Sequence, residues 1–368
     1  MTIPMANAEV TEEDIAAVVD VMRSGRLTMG LQTEEFERAM AERCGARYGI
    51  AVNSGTAGLH LLALATGLKP GDEVITTSFS FVASTNIILY AGAIPVFIDI
   101  EPDTYCIDPT LIETAITPRT KAILAVDVFG HPADWDAILE IAQRRNLRVI
   151  ADTCESLGAR YKGRPVGSFG DGSVFAFFPN KQITTGEGGM IVTDDEQVAR
   201  TCKALRNQGR DADSSWLAHA HLGYNYRIDE LSAALGVSQL RRLDSIMAKR
   251  KQVADTYNAL LSQESSVRTP REKDHVNVSY FVYVIELQGS HTREEVMQKL
   301  EERGIPSRGY FAPIHTQPYM RPFLRGREPH CPQTERIAQR TLALPFHTNM
   351  PTADVEFVVS ALHDILNR

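Results

Sequence analysis

The chain is short of the features that mark several large classes of protein. Its 368 residues include only five cysteines, Cys44, Cys106, Cys154, Cys202 and Cys331, widely scattered and in no CxxC pair. An odd, dispersed set argues against a disulfide framework and a zinc ribbon. It implies a reducing compartment. Basic charge is also short. Lys and Arg number 38 against 46 Asp and Glu, a formal charge of −8. A general nucleic-acid binder or an anionic-membrane binder would carry the opposite excess. Uninterrupted apolar runs are missing too. Residues 74–98 hold no charge and are long enough to span a bilayer. However, Thr76, Thr77, Ser78, Ser80, Ser84, Thr85, Asn86, Gly92 and Pro95 break the run. It reads as a buried strand–helix–strand, not a membrane span. The opening MTIPMANAEV lacks the charged and then apolar regions of a signal peptide, so a cytoplasmic location is expected. No GxxxxGK[ST] and no HExxH occurs. The glycines at 163, 167, 170 and 172 do not follow dinucleotide spacing, and they precede a strand instead of following one. No metal, ATP or NAD site is expected.

What is present reads as a large globular chain, with 43% hydrophobic and 23% charged residues. Strand-like runs fall at 50–53, 73–77, 95–99, 121–126, 148–152, 173–178 and 189–193. Helical patterns lie between them at 56–66, 82–91, 109–115, 134–145 and 194–206. Several strand runs are continuously apolar, as when both sheet faces are covered. The alternation predicts an α/β fold with a mostly parallel central sheet. After about residue 228 the pattern changes. Helices are predicted at 229–240, 245–261, 292–303, 334–341 and 352–366, with one strand at 278–287 and a Pro/Gly/Arg-rich stretch at 304–332. The expected organisation is an N-terminal arm at 1–12, a large domain at 13–245 and a smaller α+β domain at 246–368.

Three signals fall at the carboxyl ends of the parallel strands, where open α/β sheets bind ligands. The first is Asn53-Ser54-Gly55-Thr56-Ala57-Gly58, between a strand and a helix. Ser54 can cap the helix, Gly55 permits close backbone approach, and the free N–H groups suit a phosphate. The second is Asp152, directly after the apolar run Val149-Ile150-Ala151. The third is Lys181, delivered by Phe175-Ala176-Phe177-Phe178-Pro179-Asn180 into the run Thr184-Thr185-Gly186-Glu187-Gly188-Gly189. Each alone also reads as an ordinary cap, turn or surface charge. Together they meet the needs of pyridoxal 5'-phosphate: a phosphate cup, a carboxylate for the pyridine nitrogen and a lysine for the aldehyde.

These residues, with Ser78-Phe79-Ser80-Phe81-Val82, Phe129-Gly130-His131-Pro132-Ala133-Asp134, Gly223-Tyr224-Asn225-Tyr226-Arg227 and Ser307-Arg308 through His315, resemble the DegT/DnrJ/StrS-type sugar aminotransferases. The resemblance covers almost the whole chain. It implies an aspartate-aminotransferase-like fold (fold type I), a homodimer with shared active sites, and pyridoxal phosphate as cofactor. By resemblance Lys181 is the Schiff-base lysine and proton carrier, and Asp152 pairs with the pyridine nitrogen. Phe81 stacks on the cofactor, and Gly55 and Thr56 bind its phosphate. Glu155 lies near its phenolic oxygen, and Glu there is the variant of perosamine-synthase-like members. Asn225 reaches the phosphate from the partner subunit, with Arg227 nearby. Many members have Ser where this chain has Ala176. One phosphate hydrogen bond, worth about 1.5–3 kcal/mol when charge-assisted, is then missing or replaced.

At the substrate end, the resemblance implies contacts from Arg308, Tyr310 and His315. Arg303, Arg308, Arg321, Arg325, Arg327, Arg336 and Arg340 form a local basic stretch that suits a nucleotide diphosphate. The expected reaction moves an amino group from L-glutamate to a nucleotide-linked keto sugar, with a 4-keto-6-deoxy sugar first. A 3-keto sugar or a cyclitol ketone is the alternative. A sugar dehydratase of the same family carries His in place of Lys181. A non-catalytic homologue would have lost Lys181 or Asp152. The product would feed polysaccharide or antibiotic-sugar synthesis.

Overall fold

The computed structural model describes residues 3–211, 215, 218–324 and 326–367. The long apolar runs form a seven-stranded sheet: β1 (Tyr48–Val52), β2 (Glu73–Thr77), β3 (Ile94–Ile98), β4 (Thr120–Val126), β5 (Arg148–Asp152), β6 (Gly172–Ala176) and β7 (Gly189–Thr193). Their order is β1-β7-β6-β5-β4-β2-β3. β2 through β6 pair in parallel, and β7 runs antiparallel to both its neighbours, β1 and β6. Helices Leu31–Cys44, Gly55–Ala65, Trp135–Arg145 and Glu196–Arg206 pack on the sheet. Every residue of β2 and β7 is buried, which accounts for the lack of alternation in their sequences. The parallel strands point their carboxyl ends to one edge, so residues that follow them are gathered there.

A second apolar core lies in the C-terminal part. It is built on an antiparallel three-stranded sheet, Val267–Arg268, Tyr283–Leu287 and Thr341–Leu344, with helices Leu243–Leu261, Arg293–Glu301 and Thr352–Leu366. Ile3 is buried in this core, and the Met5 carbonyl accepts from Phe346 N–H. Glu9 pairs with Arg242 and Lys249. The segment before the first helix is thus tied to the opposite end of the chain.

The structure departs from the sequence expectations in identifiable places. Helices Glu12–Ser24 and Leu31–Cys44 precede β1, where the sequence pattern names no element. The first carries its own start signal, a capping box between Thr11 and Asp14. The strand expected at 278–287 forms only over Tyr283–Leu287. Side chains occupy the carbonyls of residues 279–281 instead. The helix expected at 334–341 is Pro332–Ala338, and Thr341–Leu344 is a strand. Four residues are too few for periodicity to separate the two. Residues 109–115 split into a tight turn, Pro109–Leu111, and one helical turn, Ile112–Ala115. The uncharged stretch 74–98 is β2, helix Ala83–Tyr90 and β3. Among the described residues no helix is long and apolar enough to cross a membrane.

Candidate active site

At the carboxyl edge of the sheet, the loops after its strands, with Phe281, Tyr310 and Phe311 from the C-terminal part of the chain, enclose a cavity of about 430 Å³. That volume suits a small-molecule site. The turn after β1 forms one wall. Ser54 is extended and its Oγ accepts from Ala57 N–H at 3.1 Å, which starts helix Gly55–Ala65. The N–H groups of Gly55 and Thr56 are in the first turn, where no intrahelical acceptor exists. They and the helix dipole favour an anion. A Cβ on Gly55 would stand 2.7 Å from Ala176 Cβ and 3.0 Å from Cys154 Sγ, so only glycine fits. The Ala176 methyl packs on this turn.

Asp152 closes the floor at the end of β5, 4% exposed. Its Oδ2 accepts from Ser84 Oγ at 2.6 Å and its Oδ1 from Cys154 N–H at 3.2 Å. Ser84 in turn is 2.8 Å from Ser80 Oγ. Lys181 projects from the loop after β6, its side chain 13% exposed. Its Nζ is 3.8 Å from Glu155 Oε1 and 4.0 Å from the centre of the Phe281 ring. The loop is closed on itself. Thr184 Oγ1 donates to Phe177 O, Thr185 Oγ1 to Glu187 O, and Gly186 N–H to Thr184 Oγ1. The Thr-Thr-Gly-Glu-Gly-Gly run is therefore a rigid mount for the lysine.

Glu155 Oε2 accepts from Phe129 N–H at 2.8 Å. Burial pushes its carboxyl up from 4.5 to about 7, against the opposing pull of the Lys181 ammonium and the Phe129 N–H. A raised folded-state value gives stability that is full below the unfolded value and lost as pH rises toward 7. The cofactor-free protein should therefore lose more stability between pH 5 and 8 than its Glu155→Gln variant. Urea unfolding at the two pH values measures this. Equal losses would refute it. Asp127, wholly buried behind the cavity, is pushed to about 7 by the same burial. It holds Ala133 N–H and Ser156 Oγ and adds the same background slope to both proteins.

The cavity is lined by Gly55, Thr56, Phe81, Asp152, Glu155, Lys181 and Tyr310, all singled out from sequence. Four other expected residues do not line it. Asn225 is exposed and bridges to Asn207, to whose Oδ1 the Arg227 guanidinium donates at 2.9 Å. Arg308 is exposed, with one guanidinium N–H on Ser307 O. His315 sits between Ser78 Oγ at 2.7 Å and Glu335 Oε1 at 3.2 Å. The contact to Ser78 braces the strand end that leads to Phe81. The basic stretch is also dispersed. Arg303, Arg327 and Arg336 pair with Asp364, Glu73 and Glu286, and Arg340 donates to the carbonyls of Leu287 and Gly289. Arg325 lies outside the described residues. A single diphosphate patch from all seven arginines is therefore not formed. Phe311, in the aromatic run with Tyr310, lines the cavity as well, and Ser84 and Phe281 line it without a signal in the sequence.

The model of the DegT/DnrJ/EryC1/StrS aminotransferases matches residues 8–363. The chain belongs to this family. It is 41% identical to the GDP-perosamine synthase of Caulobacter vibrioides over 90% of this chain and 89% of that protein. DesV of S. venezuelae superposes with a TM-score of 0.93 at 32% identity, covering 100% of this chain and 99% of that one. The sugar aminotransferase Spr1654 of Streptococcus pneumoniae, described as putative and solved in PLP and PMP forms, also superposes at 0.93, with 27% identity over 100% and 99% of the two chains. The enzyme is a sugar aminotransferase, and its cofactor is pyridoxal 5'-phosphate. Its residues fit that group. The glycine cradle at residue 55, the buried Asp152 carboxylate and Lys181 face one cavity. The buried Asn180 Oδ1 has no hydrogen-bond partner among the described residues.

Proposed function

We propose that the enzyme transfers an amino group from L-glutamate to a nucleotide-linked 4-keto-6-deoxy sugar, as a homodimer with shared active sites. The observation that carries this reading is the grouping of Lys181, Asp152 and Glu155 around one cavity. Glu155, together with perosamine-synthase relatives at 41% and 36% identity, favours the 4-amino outcome. In this reading the amides of Gly55 and Thr56 hold the phosphate and Asp152 holds the pyridine nitrogen. Phe81 covers the ring and Glu155 faces the phenolic oxygen. When bound there, pyridoxal phosphate supplies an electron sink for breaking the C–H bond beside the amine. Lys181 Nζ would take that proton and return it two atoms away, across the nitrogen, as the 1,3-proton shift of transamination requires. Tyr310, on the cavity wall, takes the nucleotide sugar, with Arg308 two residues before it in the chain.

Asn225 and Arg227 serve the second copy's phosphate in this reading. Both stand outside their own chain's cavity, and Leu222, three residues before Asn225, is exposed at 90%. An apolar side chain that open suits a face covered by a partner. Residues 13–245 would form the cofactor-binding domain and 246–368 the smaller one, with the division inside helix Leu243–Leu261. Five free cysteines fit work in the cytoplasm.

The test is a visible spectrum of the cofactor-loaded enzyme. L-Glutamate should bleach the yellow band, and a GDP- or dTDP-linked 4-keto-6-deoxy sugar should restore it. Restoration by a 3-keto sugar or an inosose instead would reassign the acceptor. A band indifferent to glutamate would overturn the donor.

A further inference from the structure

The segment Ser279-Tyr280-Phe281 crosses between the two cores without regular structure, yet each of its carbonyls is held by a side chain. Gln182, the neighbour of Lys181, donates its Nε2 to Ser279 O at 2.9 Å, to Ser279 Oγ at 2.6 Å and to Glu155 O at 2.7 Å. Arg250, from helix Leu243–Leu261, donates Nε to Tyr280 O and Nη2 to Phe281 O, both at 2.7 Å. Its Nη1 reaches Thr348 Oγ1 at 3.2 Å, and the guanidinium lies 4.8 Å from the Phe346 ring centre. Among the described residues no carboxylate pairs with Arg250, which is 3% exposed, and burial pulls the guanidinium down to about 9. A buried cation with only neutral partners is a costly way to hold a loop. What it provides is a rigid fork that grips two successive carbonyls, a geometry lysine cannot reproduce. The clamped segment presents the face of the Phe281 ring 4.0 Å from Lys181 Nζ, at the cavity wall.

We propose that Phe281 is a catalytic residue that holds the free ammonium of Lys181 in the cavity, and that Arg250 is a positioning residue acting through it. A ring face attracts an ammonium, most strongly where water is excluded. When Lys181 is not bonded to the cofactor, its long side chain needs such a rest position to stay within reach of the reacting carbon. The inference rests on Lys181 being the reacting lysine.

The experiment measures the single-turnover rate with L-glutamate, cofactor affinity and thermal unfolding for Phe281→Leu, Phe281→Tyr, Arg250→Lys and the double variant Arg250→Lys/Phe281→Leu. Phe281→Leu should slow the half-reaction about tenfold with cofactor affinity unchanged, and Phe281→Tyr should restore most of the rate. Arg250→Lys should slow it similarly, and in the Phe281→Leu background it should add nothing, because the pair acts as one unit. If Arg250→Lys does not fold, Arg250→Gln takes its place in the cycle. A wild-type rate in Phe281→Leu overturns the role of the ring. Multiplicative losses in the double variant overturn the coupling and leave Arg250 a purely structural residue. A Lys181→Ala protein that keeps the half-reaction would instead refute the underlying assignment of the lysine.

Discussion

Replacing Lys181 by alanine is expected to lower steady-state transamination by roughly 10⁴-fold or more, because both the covalent anchor and the proton carrier are lost. Cofactor-loaded Lys181→Ala should also lack the yellow band that glutamate bleaches in the wild type. The mount around the lysine should survive, since Thr184 bonds to Phe177 and Gly186, and Thr185 to Glu187, none of them to Nζ. Loss of the ammonium 3.8 Å from Glu155 removes a cation that offsets the burial of that carboxyl. Glu155 should then be protonated in the variant at a pH where the wild-type residue is partly ionised. Multiple turnover within tenfold of wild type would refute the role. The same variant probes the shared site. Mixed and reassociated with an Asn225→Ala chain, it should recover about a quarter of wild-type activity, since half of the dimers would then hold one intact site. No recovery would count against Asn225 serving the partner's cofactor.

Asp152→Asn has the second-largest expected effect. Both carboxylate oxygens are already oriented from the protein side, Oδ2 by Ser84 Oγ and Oδ1 by Cys154 N–H. The substitution keeps the shape, removes the negative charge, and sets an amide N–H against one of two donors. Ser84 can turn to Ser80 or to the Phe81 carbonyl, so folding should hold. The half-reaction with glutamate should fall roughly 10²–10³-fold, the scale for removing one preorganised electrostatic partner. Stopped-flow bleaching of the visible band measures it. A rate within threefold of wild type would show that Asp152 does not govern the electron sink.

Much of the cavity is legible in the sequence, and particular residues show why. Ser54-Gly55-Thr56 is a cap followed by the start of a helix. Asp152 ends an apolar strand, and Lys181 leads into a Thr/Gly turn. Each is a local signal written in a few adjacent residues, and parallel topology carries all three to the same edge. The residues without a sequence signal act across long separations. Ser84 reaches Asp152 over 68 positions, and Gln182 reaches Ser279 over 97. No spacing rule connects such pairs. His315 reads as a substrate contact from its neighbours in sequence, but its ring answers to Ser78, 237 positions away. The arginines between 303 and 340 look like one patch in one dimension. Three of them turn to three different carboxylates once the chain folds.

By itself, then, the amino-acid sequence determined the strands of the main sheet, the helix start that can cradle a phosphate, and the placement of Asp152 and Lys181 at strand ends. Hydrophobic runs, caps and glycine turns are short-range features that the backbone must obey wherever it lies. Only the tertiary structure decided what touches those groups: the serine on Asp152, the ring beside Lys181, and the buried arginine that clamps the segment carrying that ring. The first of those contacts depends on how a helix of the main sheet packs beside a strand 68 positions away, and the other two on how two cores dock across the sheet edge; both are set by packing among distant residues rather than by any local pattern.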